Sequence, residues 1–124
     1  MVSFDRAFVC VGLAWLIIGM IFGLYMGLAG ANQFVVVHVA MLLPGAVVLT
    51  LYGLIYRAWP ELNDSGLARL QFWLAVISVF GLVFGGFQFV FSGRTDTTIV
   101  GSASVLAIVA ALLMGWMFLR QAEP

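Results

Sequence analysis

Charged residues are scarce in this sequence. Its 124 residues include five arginines, five acidic residues and no lysine, so the formal net charge is zero. A protein that binds nucleic acid needs a concentration of basic side chains to neutralise phosphates, and the sequence has none. Nucleic acid is therefore excluded as a partner, and recognition of anionic lipid is not expected for the same reason.

Cysteine is almost absent as well, since Cys10 stands alone. A single thiol cannot close an intramolecular disulfide, and the sequence has no CxxC, no CxxCH and no Cys/His pair with metal-ligand spacing. Structural zinc, iron–sulfur clusters and covalently attached c-type haem are excluded on this ground.

Hydrophobic residues make up 65% of the chain, and the mean hydropathy is +1.19. Uncharged apolar runs cover 7–29, 34–56, 70–91 and 97–119. Each run is close to the roughly 20 residues that a helix needs to cross a bilayer. The segments between the runs have turn composition. The sequence therefore predicts an all-α membrane protein, a single four-transmembrane-helix bundle over 1–124 with the lipid bilayer as its surroundings.

The arginines are distributed unevenly over the two ends of these runs. Arg6, Arg57, Arg69 and Arg120 lie near the termini or in the second connection, whereas Arg94 is the only arginine in the other two connections. Cytoplasmic loops of membrane proteins carry an excess of basic residues. We therefore expect a multi-pass protein with its N and C termini in the cytoplasm.

Small residues recur every four positions on three of the runs. The stripes are Gly19, Gly23 and Gly27 on the first run, Gly81 and Gly85 on the third, and Ala103, Ala107, Ala111 and Gly115 on the fourth. Such stripes let helix backbones approach closely in lipid. They are explained by packing inside one bundle or by contact between two copies. We expect a homodimer, with the first-run glycines as its first candidate face and the third and fourth runs as alternatives.

Pro44 interrupts the second run. It removes the amide that would bond to the carbonyl of Ala40, so a kink just after His38 is expected. Residues suited to capping helix N-termini precede the other two runs: Asp64 or Ser65 before the third, and Thr97 or Thr98 before the fourth.

Polar groups inside the four runs are few, and Asp, Glu, Lys and Arg do not occur there. Proton-coupled multidrug exporters of this size depend on a carboxylate within the membrane, so that class is disfavoured. His38 is the default site because a histidine in a membrane helix is costly unless it is bonded or ligated. Gln88 and Tyr25 fall near its level, so a hydrogen bond from a neutral imidazole to Gln88 is one interpretation. Gln71, at the other end, is expected at the membrane interface.

The second run and its exit also carry a recognisable pattern. His38 is followed by Gly45, and the exit has Gly53 and Tyr56 before Pro60 in a G-x-x-Y-x-x-x-P arrangement. About 25 residues here resemble the second helix of haem–copper oxidase catalytic subunits, above all the cbb3-type and nitric-oxide-reductase branch. The chain also resembles small bacterial four-helix proteins described as oxidase subunit I-like. The resemblance implies a protein of the bacterial inner membrane.

The resemblance further implies that His38 is the metal ligand of a haem b. A second His38 from a symmetry mate, or Met26, would be the other axial ligand, and Arg94 would face the propionates. Gln88 would orient the imidazole, and Tyr25 would border the pocket. Oxygen and nitric oxide reduction need several further histidines, which the sequence lacks, so a role other than catalysis is expected.

Three functions remain open from the sequence. The first is a haem-b-binding protein in electron transfer, haem handling or sensing. The second is a cofactor-free four-helix scaffold or accessory subunit of a respiratory membrane complex, in which His38 is only hydrogen-bonded. The third is transport of a neutral small molecule, which needs no charge within the membrane.

Overall fold

The computed structural model describes the backbone of residues 3–93 and 95–122 and the side chains of 3–93 and 95–120. Four long helices form the bundle: α1 (Phe4–Ala29), α2 (Asn32–Ala58), α3 (Ala68–Phe91) and α4 (Thr98–Ala122). Each is long and apolar enough to cross a membrane, and the described residues contain no strand. The prediction of an all-α four-helix bundle is confirmed.

Helix α2 and helix α3 form the centre of the bundle. Helix α1 packs along α2, α4 packs along α3, and α2 and α3 join the two pairs. The central helices accordingly bury a larger share of their residues than α1 and α4. Most of the surface presented to lipid therefore belongs to the first and last helices.

The start of α1, the end of α4 and the second connection share one end of the bundle, which we call the terminal end. Asn63 Oδ1 accepts a hydrogen bond of 2.9 Å from the backbone N–H of Phe4. The rings of Trp59 and Phe118 lie 4.7 Å apart. The start of α1, the connection after α2 and the last turns of α4 therefore lie together, and the connections at 30–31 and 92–97 lie at the opposite end, the far end.

Helix α2 is not a regular α-helix. A 3₁₀ turn (Asn32–Phe34) and an α-helical stretch (Val35–Ala40) lead into a π-helical segment (Met41–Val48), and an α-helix (Leu49–Ala58) follows. Pro44 lies inside the π segment. The wider i→i+5 turns of a π-helix accommodate a residue that cannot donate an amide. Where a kink was predicted, just after His38, the structure has a π-helical segment that begins at Met41.

Neither capping prediction matches the structure: Leu67 is the N-cap of α3 and makes no side-chain cap, and a residue other than the threonines caps α4. Before α3, Ser65 Oγ accepts the N–H of Leu67 at 3.2 Å. Before α4, the acceptor is Asp96, whose Oδ1 lies 3.0 Å from the N–H of Thr98. A carboxylate two residues ahead of the first helical amide reaches it and also complements the helix dipole. The neighbouring threonines are therefore not needed as caps.

Gly19 and Gly23 of α1 face α2 inside the bundle. A Cβ at Gly19 would lie 2.5 Å from the side chain of Leu42, and a Cβ at Gly23 would lie 2.6 Å from that of His38. A Cβ at Gly27 would meet nothing within 4 Å. The expectation that these glycines form the first candidate homodimer face is therefore wrong for Gly19 and Gly23, because α2 already covers them.

Candidate functional site

His38 lies on α2, in the α-helical stretch that precedes the π segment, and is half-buried. Its ring faces α1 at Gly23. A Cβ at Gly23 would lie 2.6 Å from Nε2 and 3.3 and 3.4 Å from Cδ2 and Cε1. Because Gly23 has no side chain, the Nε2 edge of the imidazole fits between α1 and α2.

The other predicted site residues are dispersed around the far end. Met26 is buried, whereas Tyr25 is 52% exposed and stacks on Phe22 with a centroid distance of 5.9 Å. Arg94 lies outside the described residues. Tyr25 thus borders the surface of the bundle, and Met26 belongs to its core.

Gln88 takes part in a polar contact with the third connection. Its Nε2 donates to Asp96 Oδ2 at 3.0 Å, while Asp96 Oδ1 caps α4. Among the hydrogen bonds of residues 3–93 and 95–120, none joins Gln88 to His38. The carboxylate of Asp96 attracts the amide because it is the stronger acceptor. The side chain of Gln88 therefore stabilises the turn between α3 and α4.

Space beside the Nε2 of His38 is limited in this orientation of the ring. A Cβ at Gly23 would lie only 2.6 Å from Nε2, so a haem that used this nitrogen would have to share the space with α1. In the part of the chain that the structure describes, no group of three or more His, Cys, Asp or Glu side chains could hold a metal ion. The haem remains a prediction.

A second polar site, which the sequence interpretation missed, lies towards the terminal end. Gln71 is fully buried, and its Oε1 accepts a hydrogen bond of 3.1 Å from the hydroxyl of Tyr56. Its Nε2 donates to the carbonyl of Ala110 at 3.4 Å. One side chain on α3 thus connects α2 and α4. Gln71 was expected at the membrane interface, and that depth stays a prediction; the structure shows that its amide points into the bundle and satisfies its polar atoms there.

Aromatic rings surround this amide on the side of α1. Phe8 is fully buried and lies 4.8 Å from the ring of Phe72 and 5.6 Å from that of Tyr56. Tyr52 lies 5.5 Å from Phe8 in an edge-on arrangement. The signal for this cluster is present in the sequence, since Tyr56 and Gln71 flank the same connection at similar depths.

One ion pair lies at the surface of the terminal end. Asp5 Oδ2 is 3.6 Å from Arg57 Nη1, and the side chain of Arg57 is 76% exposed. A pair in such contact with solvent contributes little to stability. It connects the first turn of α1 to the last turn of α2 without forming a reactive site.

No protein-family model, curated protein or solved structure matches the chain. The fold and composition define a multi-pass membrane protein with four spanning helices. The resemblance of α2 to haem–copper oxidase subunits remains a prediction.

Proposed function

We propose that the protein is a cofactor-free scaffold or accessory subunit of a membrane protein complex. The observation that carries the proposal is the packing of His38 against Gly23. The imidazole serves there as a contact between α1 and α2, with its Nε2 beside the Gly23 position. A protein whose only histidine is used in this way acts through the helical surfaces that it presents to its neighbours.

The outer helices supply these surfaces. Large apolar side chains are exposed along α1 and α4, including Ile21, Leu28, Leu112 and Leu119. Because Gly19 and Gly23 are covered by α2, a second copy in the expected homodimer has to dock elsewhere. The outer side of α4 is open at Gly115, where a Cβ would meet nothing within 4 Å.

A haem-b-binding protein is the second candidate, and one observation favours it. His38 is only half-buried, and it takes part in none of the side-chain hydrogen bonds found within residues 3–93 and 95–120. An imidazole in an apolar segment that lacks such a bond has a nitrogen available for another ligand. If the protein binds haem in this way, the other axial ligand would be His38 of a second copy or Met26.

An absorption spectrum of the protein purified from a haem-replete host distinguishes the two functions. The scaffold proposal predicts a colourless protein and a thermal unfolding temperature that does not change when haemin is added. A Soret band that is retained in Tyr25→Phe and lost in His38→Ala would overturn the scaffold proposal in favour of haem binding.

A further inference from the structure

A cavity of about 390 Å³ opens at the terminal end, between the start of α1 and the start of α3. Phe4, Phe72 and Trp73 form much of its apolar wall. Phe4 lies in the first turn of α1, and Arg69, which also lines the cavity, lies in the first turn of α3. Both helices span the membrane, so the cavity lies at the depth where lipid headgroups meet the hydrocarbon.

The remaining wall is polar and already has a fixed shape. The side chain of Asn63 is fixed by two hydrogen bonds: its Oδ1 accepts the N–H of Phe4, and its Nδ2 donates to the carbonyl of Pro60. Ser65 Oγ accepts the amide of Leu67, which leaves its hydroxyl hydrogen for another acceptor. This side of the cavity therefore presents donors and acceptors that are held in place without a ligand.

Arg69 supplies the charge of the cavity. The described residues that line it include this one cation and no carboxylate. The ion pair within residues 3–93 and 95–120 joins Asp5 to Arg57, so it does not involve Arg69. A guanidinium presents five N–H donors in a planar fork that matches the oxygens of a phosphate.

A charged donor beside an apolar wall matches an amphipathic anion. The sequence has no basic patch for anionic lipid, but a single arginine in a shaped cavity does not need one. We propose that this cavity binds an anionic phospholipid, with Arg69 donating to the phosphate and the acyl chains lying along Phe72 and Trp73. A soluble phosphate ester shares the phosphate but would leave the aromatic wall uncovered. Tryptophan is enriched at this depth because its ring is apolar and its N–H is polar.

The test is a binding titration of the delipidated full-length protein in detergent, followed by native mass spectrometry. The probes are dioleoyl phosphatidylglycerol, dioleoyl phosphatidylcholine and glycerol 3-phosphate. We expect phosphatidylglycerol to bind most tightly, and Arg69→Gln to weaken its binding roughly tenfold, the effect of losing a charge-assisted hydrogen bond. The matched control is Arg120→Gln, which removes the same charge at the same end but outside the cavity.

Three outcomes would overturn the proposal. Equal losses in Arg69→Gln and Arg120→Gln would show that general surface charge attracts the lipid. Binding of glycerol 3-phosphate as tight as that of phosphatidylglycerol would assign the site to a soluble phosphate ester. Equal binding of phosphatidylcholine would remove the preference for an anionic lipid.

A second variant tests the cavity without changing charge. Gly66 lines the cavity, and a Cβ there would meet open space. Gly66→Leu should therefore reduce phosphatidylglycerol binding while the unfolding temperature in lipid-free detergent stays unchanged. Gly101→Leu is the control, because that glycine is equally open and does not line the cavity. Unchanged binding in Gly66→Leu would place the lipid elsewhere and refute the proposal.

Discussion

Gln71 shows how much of this bundle depends on a single buried amide. Replacing it by leucine leaves the hydroxyl of Tyr56 without its acceptor in a region that excludes water. An orphaned buried polar group costs about 1–3 kcal/mol. We therefore expect Gln71→Leu to lower the free energy of unfolding by about that amount, measured by denaturant titration in bicelles.

Tyrosine variants provide the control for this prediction. Tyr25→Phe should leave stability nearly unchanged, because its ring is half exposed and its hydroxyl takes part in no hydrogen bond among the described residues. Tyr56→Phe combined with Gln71→Leu should cost less than the sum of the two single variants, since both remove one interaction. Strict additivity would contradict the assignment of the Tyr56–Gln71 bond.

At the scale of the helices, the contact between α1 and α2 is set by glycines. A leucine at Gly23 would push against His38, where a Cβ alone would lie 2.6 Å from Nε2. Overpacking of this kind costs about 1–3 kcal/mol. We expect Gly23→Leu to lower the unfolding temperature. Gly27→Leu, four residues along the same helix, should not, because nothing lies within 4 Å of a Cβ there. Equal effects of the two variants would contradict this packing.

The same helix shows what the sequence can and cannot predict. The lengths of the apolar runs were sufficient to predict four spanning helices, because a hydrophobic stretch in lipid has to satisfy its backbone internally. The four-residue repeat of glycine predicted close approach as well. The repeat does not reveal which helix approaches, since Gly23 and Gly27 look alike in the sequence and only Gly23 meets a neighbour.

The residues of the candidate site were harder to predict for a related reason. Depth along each helix placed His38 and Gln88 at one level, but a side chain's partner depends on the rotation of the helix about its axis. Asp96 lies just beyond the end of α3 and binds Gln88 instead. The π segment of α2 adds to the difficulty, because its wider turns change the rotation that a regular helix would give.

For the whole molecule, the arginine distribution makes orientation testable. In a Cys10→Ser background, a cysteine at Asn32 should react with an impermeant maleimide in intact cells, because the positive-inside rule places the far end outside. A cysteine at Glu61, on the terminal end, should react only after the membrane is permeabilised. Both positions are exposed, so accessibility within the protein does not limit either reaction. The reverse labelling pattern would invert the orientation.

The contact between Asn63 and Phe4 has a consequence for how the chain is made. The first backbone amide of α1 is satisfied by a side chain 59 residues later in the sequence. During synthesis, α1 leaves the ribosome and enters the membrane before that asparagine has been added. Its first turn therefore acquires its final hydrogen bond only after α2 has followed it. The opening turn of α1 is thus one of the later parts of the bundle to be completed, even though it is translated before α2, α3 and α4.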